Sequence, residues 1–175
     1  MNLESYFNLD NSIIHVNHAA VAPWPVRTVN AVKQFADENG HIGSKRYGDW
    51  LQTESQLRER LAQLINAPSA DDIALLKNTS EGLSVIAFGL DWQAGDNIVI
   101  AEDEFPSNRI VWEALKPLGV EIRLVKLDRK HPEQSLIEHF DAHTRLLSVS
   151  AVQYASGIRM DLLTLSSACR AHHVL

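Results

Sequence analysis

From residue 71 onward the chain alternates short apolar runs with amphipathic stretches, and this rhythm constrains the fold more than any other feature. The runs at 73–76, 97–101, 120–126 and 145–152 have the length and composition of strands. Between them, 80–90, 107–118, 133–140 and 161–173 place their apolar residues at helical spacing. Ala94-Gly95-Asp96 and Leu118-Gly119 supply turns ahead of strands. Strands separated by helices join as parallel neighbours. The expected product is an α/β domain with a largely parallel sheet, buried by helices on both faces.

The segment before residue 71 reads differently. Residues 13–17 suggest a short strand, followed by a loop from His18 to Pro23. A helix begins near Pro25, since proline is tolerated in a first turn. It runs through Val26, Val29, Val32 and Phe35 to about Asn39, with Gly40 as its stop. A loop from Gly40 to Gly48 leads to a long amphipathic helix from Trp50 to Ile65, closed by Asn66 and Pro68. The expected division is an N-terminal segment and loop at 1–24, then an incomplete domain over 25–175. At the far end Leu162, Leu165, Ala168, Cys169 and His172 form a helical stripe, and Val174-Leu175 opens a further strand. The chain therefore reads as the front part of a larger, truncated fold.

Composition narrows the classes of partner. A net charge of −6, with no Lys/Arg cluster, argues against nucleic acid. No apolar run approaches membrane-spanning length, and the N-terminus lacks the basic-then-apolar pattern of a signal peptide. Cys169 is the single cysteine, so the chain has no internal disulfide framework. A cytoplasmic protein is the simple expectation.

The chemistry concentrates in Lys77-Asn78-Thr79-Ser80-Glu81-Gly82, between an apolar run and an amphipathic one. Asn78 and Glu81 have capping-box spacing. Thr79 and Ser80 set two hydroxyls beside the free N–H groups of a first helical turn. A helix N-terminus carries roughly half a positive charge, so this turn makes a phosphate seat. Other candidates are weaker. His139 and His143, flanking Asp141, have i, i+4 spacing but lack a third ligand, so no metal site is expected. Cys169 lies on an apolar stripe as a small hydrophobe. Lys45-Arg46 belongs to a solvated loop, and no G-x-G-x-x-G follows a strand.

Four segments fall into an ordered set: 16–20 (Val-Asn-His-Ala-Ala), 78–82 (Asn-Thr-Ser-Glu-Gly), 104–108 (Glu-Phe-Pro-Ser-Asn) and 148–157, which includes Gln153-Tyr154. In order and spacing the set resembles the class V aminotransferase family. That family is the branch of fold-type-I pyridoxal-phosphate (PLP) enzymes holding cysteine desulfurases, selenocysteine lyases and isopenicillin N epimerase-like proteins. The resemblance covers essentially the whole chain and corresponds to the first half of a member. It implies the PLP-binding large domain, preceded by a helical segment. It also implies that Thr79 and Ser80 bind the cofactor phosphate and that Phe105, where desulfurases carry histidine, stacks on the pyridine ring. Gln153, or Tyr154 beside it, contacts that ring. Ala19 and Ala20 match small residues near the substrate, with His18 beside them in place of the usual Asn or Asp.

Phenylalanine at 105 points toward the epimerase-like or aminotransferase-like members. PLP chemistry also needs a Schiff-base lysine and an acid paired with the pyridine nitrogen. In the family both follow later strands, and the six lysines here (33, 45, 77, 116, 126 and 130) match neither. The 175-residue chain alone is thus expected to be inactive, as part of a homodimeric enzyme acting on a small amino acid by transamination, epimerisation or Cβ elimination. The alternatives are a non-catalytic interaction module of the same fold and an unrelated α/β phosphate-binding enzyme.

Overall fold

The computed structural model describes residues 3–10, 12–16 and 21–175, and the chain divides after Leu75 into two units. The first unit is a helical hairpin. Its helices are α1 (Val26–Ile42) and α2 (Tyr47–Ile65). The α1 helix runs through Gly40 and stops two residues later, because Gly43 takes the left-handed φ of 59° while Gly40 stays helical. Asn66 closes α2 in a left-handed conformation with φ of 57°. The hairpin is joined by side chains from both helices. Trp50 packs edge-on against Phe35 at 5.2 Å, and its indole N–H donates to Glu38 at 3.0 Å. Arg46 bridges Glu38 and Asp49 rather than lying free in solvent. No strand forms over residues 12–16.

The second unit carries a three-stranded parallel sheet: β1 (Asn97–Ala101), β2 (Glu121–Val125) and β3 (Thr144–Ser148), in the order β2-β1-β3. Asn97 registers with Glu121 on one side, and Ile98 with Leu146 on the other. All five residues of β1 are buried, as a central strand between two helical layers requires. Successive side chains point to opposite faces. Ile98 and Ile100 join Leu146, Trp112, Leu115, Val120 and Ala87 beneath α3 (Thr79–Gly89) and α4 (Ser107–Glu113). Val99 joins Val125, Leu136, Met160 and Leu165 beneath α5 (Pro132–Ile137) and α6 (Leu162–His172).

Several expected boundaries move. Residues 73–76 have strand composition but no ladder partner among the described residues, so they form no strand. The third strand ends at Ser148, and beyond it only Val152 makes an isolated bridge, to Arg159. The helix expected over 107–118 breaks into α4 and a 3-10 turn at Lys116–Leu118, with Pro117 lacking the N–H a continued helix needs. Leu175 donates to the Arg145 carbonyl at 3.1 Å and accepts from Leu147 N–H at 2.9 Å, lying along the outer edge of β3.

Candidate functional site

The carboxyl ends of parallel strands are where ligands bind in open α/β sheets, and the second unit carries Glu104 and Phe105 just past β1 and Ser150, Gln153 and Tyr154 just past β3. The α3 helix starts at Thr79. Asn78 caps it, its side-chain oxygen accepting from Glu81 N–H at 2.9 Å. The reciprocal bond is shifted by one residue: Glu81 accepts from Lys77 N–H at 2.9 Å rather than from Asn78. Thr79 and Ser80 are exposed, and among the described residues neither hydroxyl has a hydrogen-bond partner. The first N–H groups of a helix have no intrahelical acceptor. The turn therefore offers hydroxyls and backbone donors together, which fits a phosphate group.

Phe105 lies in the turn between β1 and α4, and Tyr154 in the segment after β3. Their rings meet edge to face, 5.2 Å apart at 88°, and both side chains are half exposed. This aromatic pair suits a planar ligand ring. The residue that precedes each of them is buried. Gln153 is 1% exposed and Glu104 4%. The Glu104 carboxylate accepts from Gln153 Nε2 at 2.6 Å, from Ser150 N–H at 2.6 Å and from Ser150 Oγ at 2.7 Å. Gln153 Oε1 is buried and has no hydrogen-bond partner among the described residues. Just behind, Ser148 donates to Asn108 Oδ1, which also accepts from the Trp112 indole at 3.1 Å.

Sequence reasoning named Thr79, Ser80, Phe105 and Gln153 as candidates and gave Glu104, which falls within the 104–108 segment, no role. The structure brings Phe105 against Tyr154 and ties Gln153 to Glu104, and it places Thr79 and Ser80 at the free start of α3. His18 and Ala19 lie outside the described residues. A cleft of about 410 Å³ opens beside β1 and β2, lined by Glu102, Asp103, Arg109, Lys126, Arg129 and Ser156, and none of the four predicted cofactor residues borders it.

The other candidates are occupied. The α5 helix ends at Ile137, so His139 and His143 share no helical face. His139 Nδ1 lies 2.8 Å from the Ser135 carbonyl. Asp141 is held by Arg123 at 2.8 Å, by Asn97 Nδ2 at 2.9 Å and by His143 N–H at 2.8 Å. Its carboxyl is pulled well below the usual range, first by Arg123, then by His143 N–H and Asn97. Among the described residues, no three or more His, Cys, Asp or Glu side chains are grouped to hold a metal ion. Burial pushes the Cys169 thiol up, away from the reactive thiolate. Among the described residues no helix is long and apolar enough to cross a membrane.

Known proteins place this architecture. A family model described as "Aminotransferase class-V" matches residues 14–175. A protein of Methanothermobacter thermautotrophicus named as a probable cysteine desulfurase is 34% identical over 155 residues, covering 85% of this chain and 38% of the relative. The crystal structure of the cysteine desulfurase CsdA from Escherichia coli superposes with a TM-score of 0.84 at 22% identity, covering 99% of this chain and 46% of that one. A C-DES variant with glycine covalently linked to its PLP cofactor gives 0.79 at 22% identity, covering 97% and 44%. The chain spans less than half the length of these proteins.

Proposed function

Since the chain belongs to the class V aminotransferase family, whose members depend on pyridoxal phosphate, we propose that it supplies the phosphate- and ring-binding part of such an enzyme. Thr79 and Ser80, with the first-turn N–H groups of α3, hold the phosphate; Phe105 stacks on the ring and Gln153 contacts its edge. The bound cofactor supplies an electron sink for negative charge developing at the substrate Cα. The chain's own residues bind and orient. The helix start offers fixed donors to a dianion, and the aromatic pair sets the plane of the ring and covers it from water.

The substrate of the whole protein is a small amino acid, with His18 and Ala19 beside it. The reaction is transamination, epimerisation or Cβ elimination, and Phe105 in place of the desulfurase histidine favours the first two. The working form is a cytoplasmic homodimer. The observation that carries this reading is the capped start of α3, where two adjacent hydroxyls are exposed and have no partner among the described residues.

The test is titration of the protein with pyridoxal phosphate and, separately, with inorganic phosphate, followed by tryptophan fluorescence. Tighter binding of the cofactor, weakened by the double variant Thr79→Val/Ser80→Ala, is the expected result. Cofactor binding no tighter than phosphate overturns the ring-binding half of the proposal.

A further inference from the structure

We propose that Glu104 is a positioning residue that sets the hydrogen-bonding polarity of the site, turning Gln153 so that it presents an acceptor. The ligand group it meets is then a donor, a hydroxyl or a protonated nitrogen. The reasoning starts from burial. A carboxyl group that is 4% exposed is cut off from water and needs protein donors in its place, and its hydrogen-bond partners, Ser150 and Gln153, include no cation. All three of its donors come from the segment after β3, from Ser150 N–H, Ser150 Oγ and Gln153 Nε2, at 2.6 to 2.7 Å. An ionised carboxylate accepts only.

A primary amide has one donating and one accepting end. The carboxylate claims the donating end of Gln153. The Gln153 side chain, itself 1% exposed, therefore turns its carbonyl oxygen away from Glu104, and that oxygen is buried with no donor from the described residues. An unsatisfied buried acceptor costs free energy, and a ligand donor would recover it. The ligand would lie close by, because Phe105 follows Glu104 in the chain and Tyr154 follows Gln153, and these two rings touch. One buried carboxylate thus joins the two ligand-facing loops and fixes the sign of the contact they make. This rests on the cofactor-binding reading only for the identity of the ligand. The polarity itself is a property of the side chains.

Two variants test it. Glu104→Met keeps the reach of the side chain but removes the acceptor, so Gln153 Nε2 loses its partner and the amide is free to turn over and present a donor to the ligand. Glu104→Gln keeps a carbonyl oxygen where Ser150 N–H and Gln153 Nε2 both donate, and its N–H₂ donates to Ser150 Oγ, so the clasp survives without the charge. Protection of the residue-153 side-chain amide protons against hydrogen exchange, read by NMR on the protein without ligand, reports the clasp directly. We expect Glu104→Met to lose about tenfold or more of that protection and Glu104→Gln to keep it within about threefold. Pyridoxal phosphate affinity should fall about tenfold in Glu104→Met and stay within about threefold in Glu104→Gln, with inorganic phosphate binding unchanged. Unchanged protection and affinity in Glu104→Met overturn the inference. So does a Glu104→Gln variant that loses as much of both as Glu104→Met. If the wild type binds pyridoxal phosphate no tighter than phosphate, the cofactor reading fails by itself, while the exchange protection still decides the clasp.

Discussion

A hydroxyl at a helix start costs the fold little and gives an anion much, so Thr79 and Ser80 separate binding from stability. Among the described residues neither hydroxyl has a partner to lose. Thr79→Val or Ser80→Ala should each weaken cofactor binding about tenfold, the worth of a hydrogen bond to a charged group, and leave the unfolding midpoint nearly unchanged. Asn78 behaves in the opposite way. It caps α3 through Glu81 N–H, so Asn78→Ala should cost about 1 kcal/mol in urea unfolding. Phe105→Ala should weaken pyridoxal phosphate by about 0.5–1.5 kcal/mol, the value of an aromatic contact beyond burial, without affecting inorganic phosphate. The residues of the turn were legible from sequence because their chemistry is local: cap, hydroxyls and helix start occupy four consecutive positions. Glu104 was not, because its meaning lies 46 and 49 residues away, in Ser150 and Gln153.

Between elements, the weight falls on Asp141 and Gly119. Asp141 ties all three strands together, through Asn97 at the start of β1, Arg123 in the middle of β2 and its bond from Thr144 Oγ1 at the start of β3. Its folded-state pKa is depressed, so its contribution is complete above the ordinary carboxylate value of about 3.9 and is lost as pH falls through the folded value. Asp141→Asn should therefore lower the urea midpoint at pH 7, and the gap from wild type should narrow progressively below about pH 4. Gly119 turns the chain into β2 with φ of 83°, and a Cβ there would meet Ala94 Cβ at 2.9 Å. Gly119→Ala should destabilise the second unit by about 1–3 kcal/mol, measured by thermal unfolding. The β1 strand was readable to the residue, since a continuous apolar run after a Gly-Asp turn describes a strand buried on both faces. The run at 73–76 has the same composition but no partner, and composition does not encode a partner. Helix ends other than that of α4, which stops at Glu113 ahead of Pro117, were read within a few residues, and Gly40 misled because either of two nearby glycines could end α1.

For the molecule as a whole, ligand linkage is the direct measure. Anything that binds only the folded form raises its stability, by about 2.7 kcal/mol at a ligand concentration one hundred times the dissociation constant. Pyridoxal phosphate should therefore raise the melting temperature in a concentration-dependent way, and more than inorganic phosphate does. A flat response would remove the cofactor from the account. The α/β class and parallel sheet followed from the alternation of apolar periods, whereas the clasp between the loops after β1 and β3 exists only once the sheet is assembled. The strand order has a further consequence. During synthesis β1 leaves the ribosome first, although it occupies the middle of the sheet and both its neighbours lie later in the chain. At about 5–20 residues per second, the edge of the nascent strand that faces β3 stays open a few seconds longer than the edge that β2 covers. Until translation reaches β3, that edge is a row of unpaired backbone N–H and C=O groups on which any other extended chain could pair.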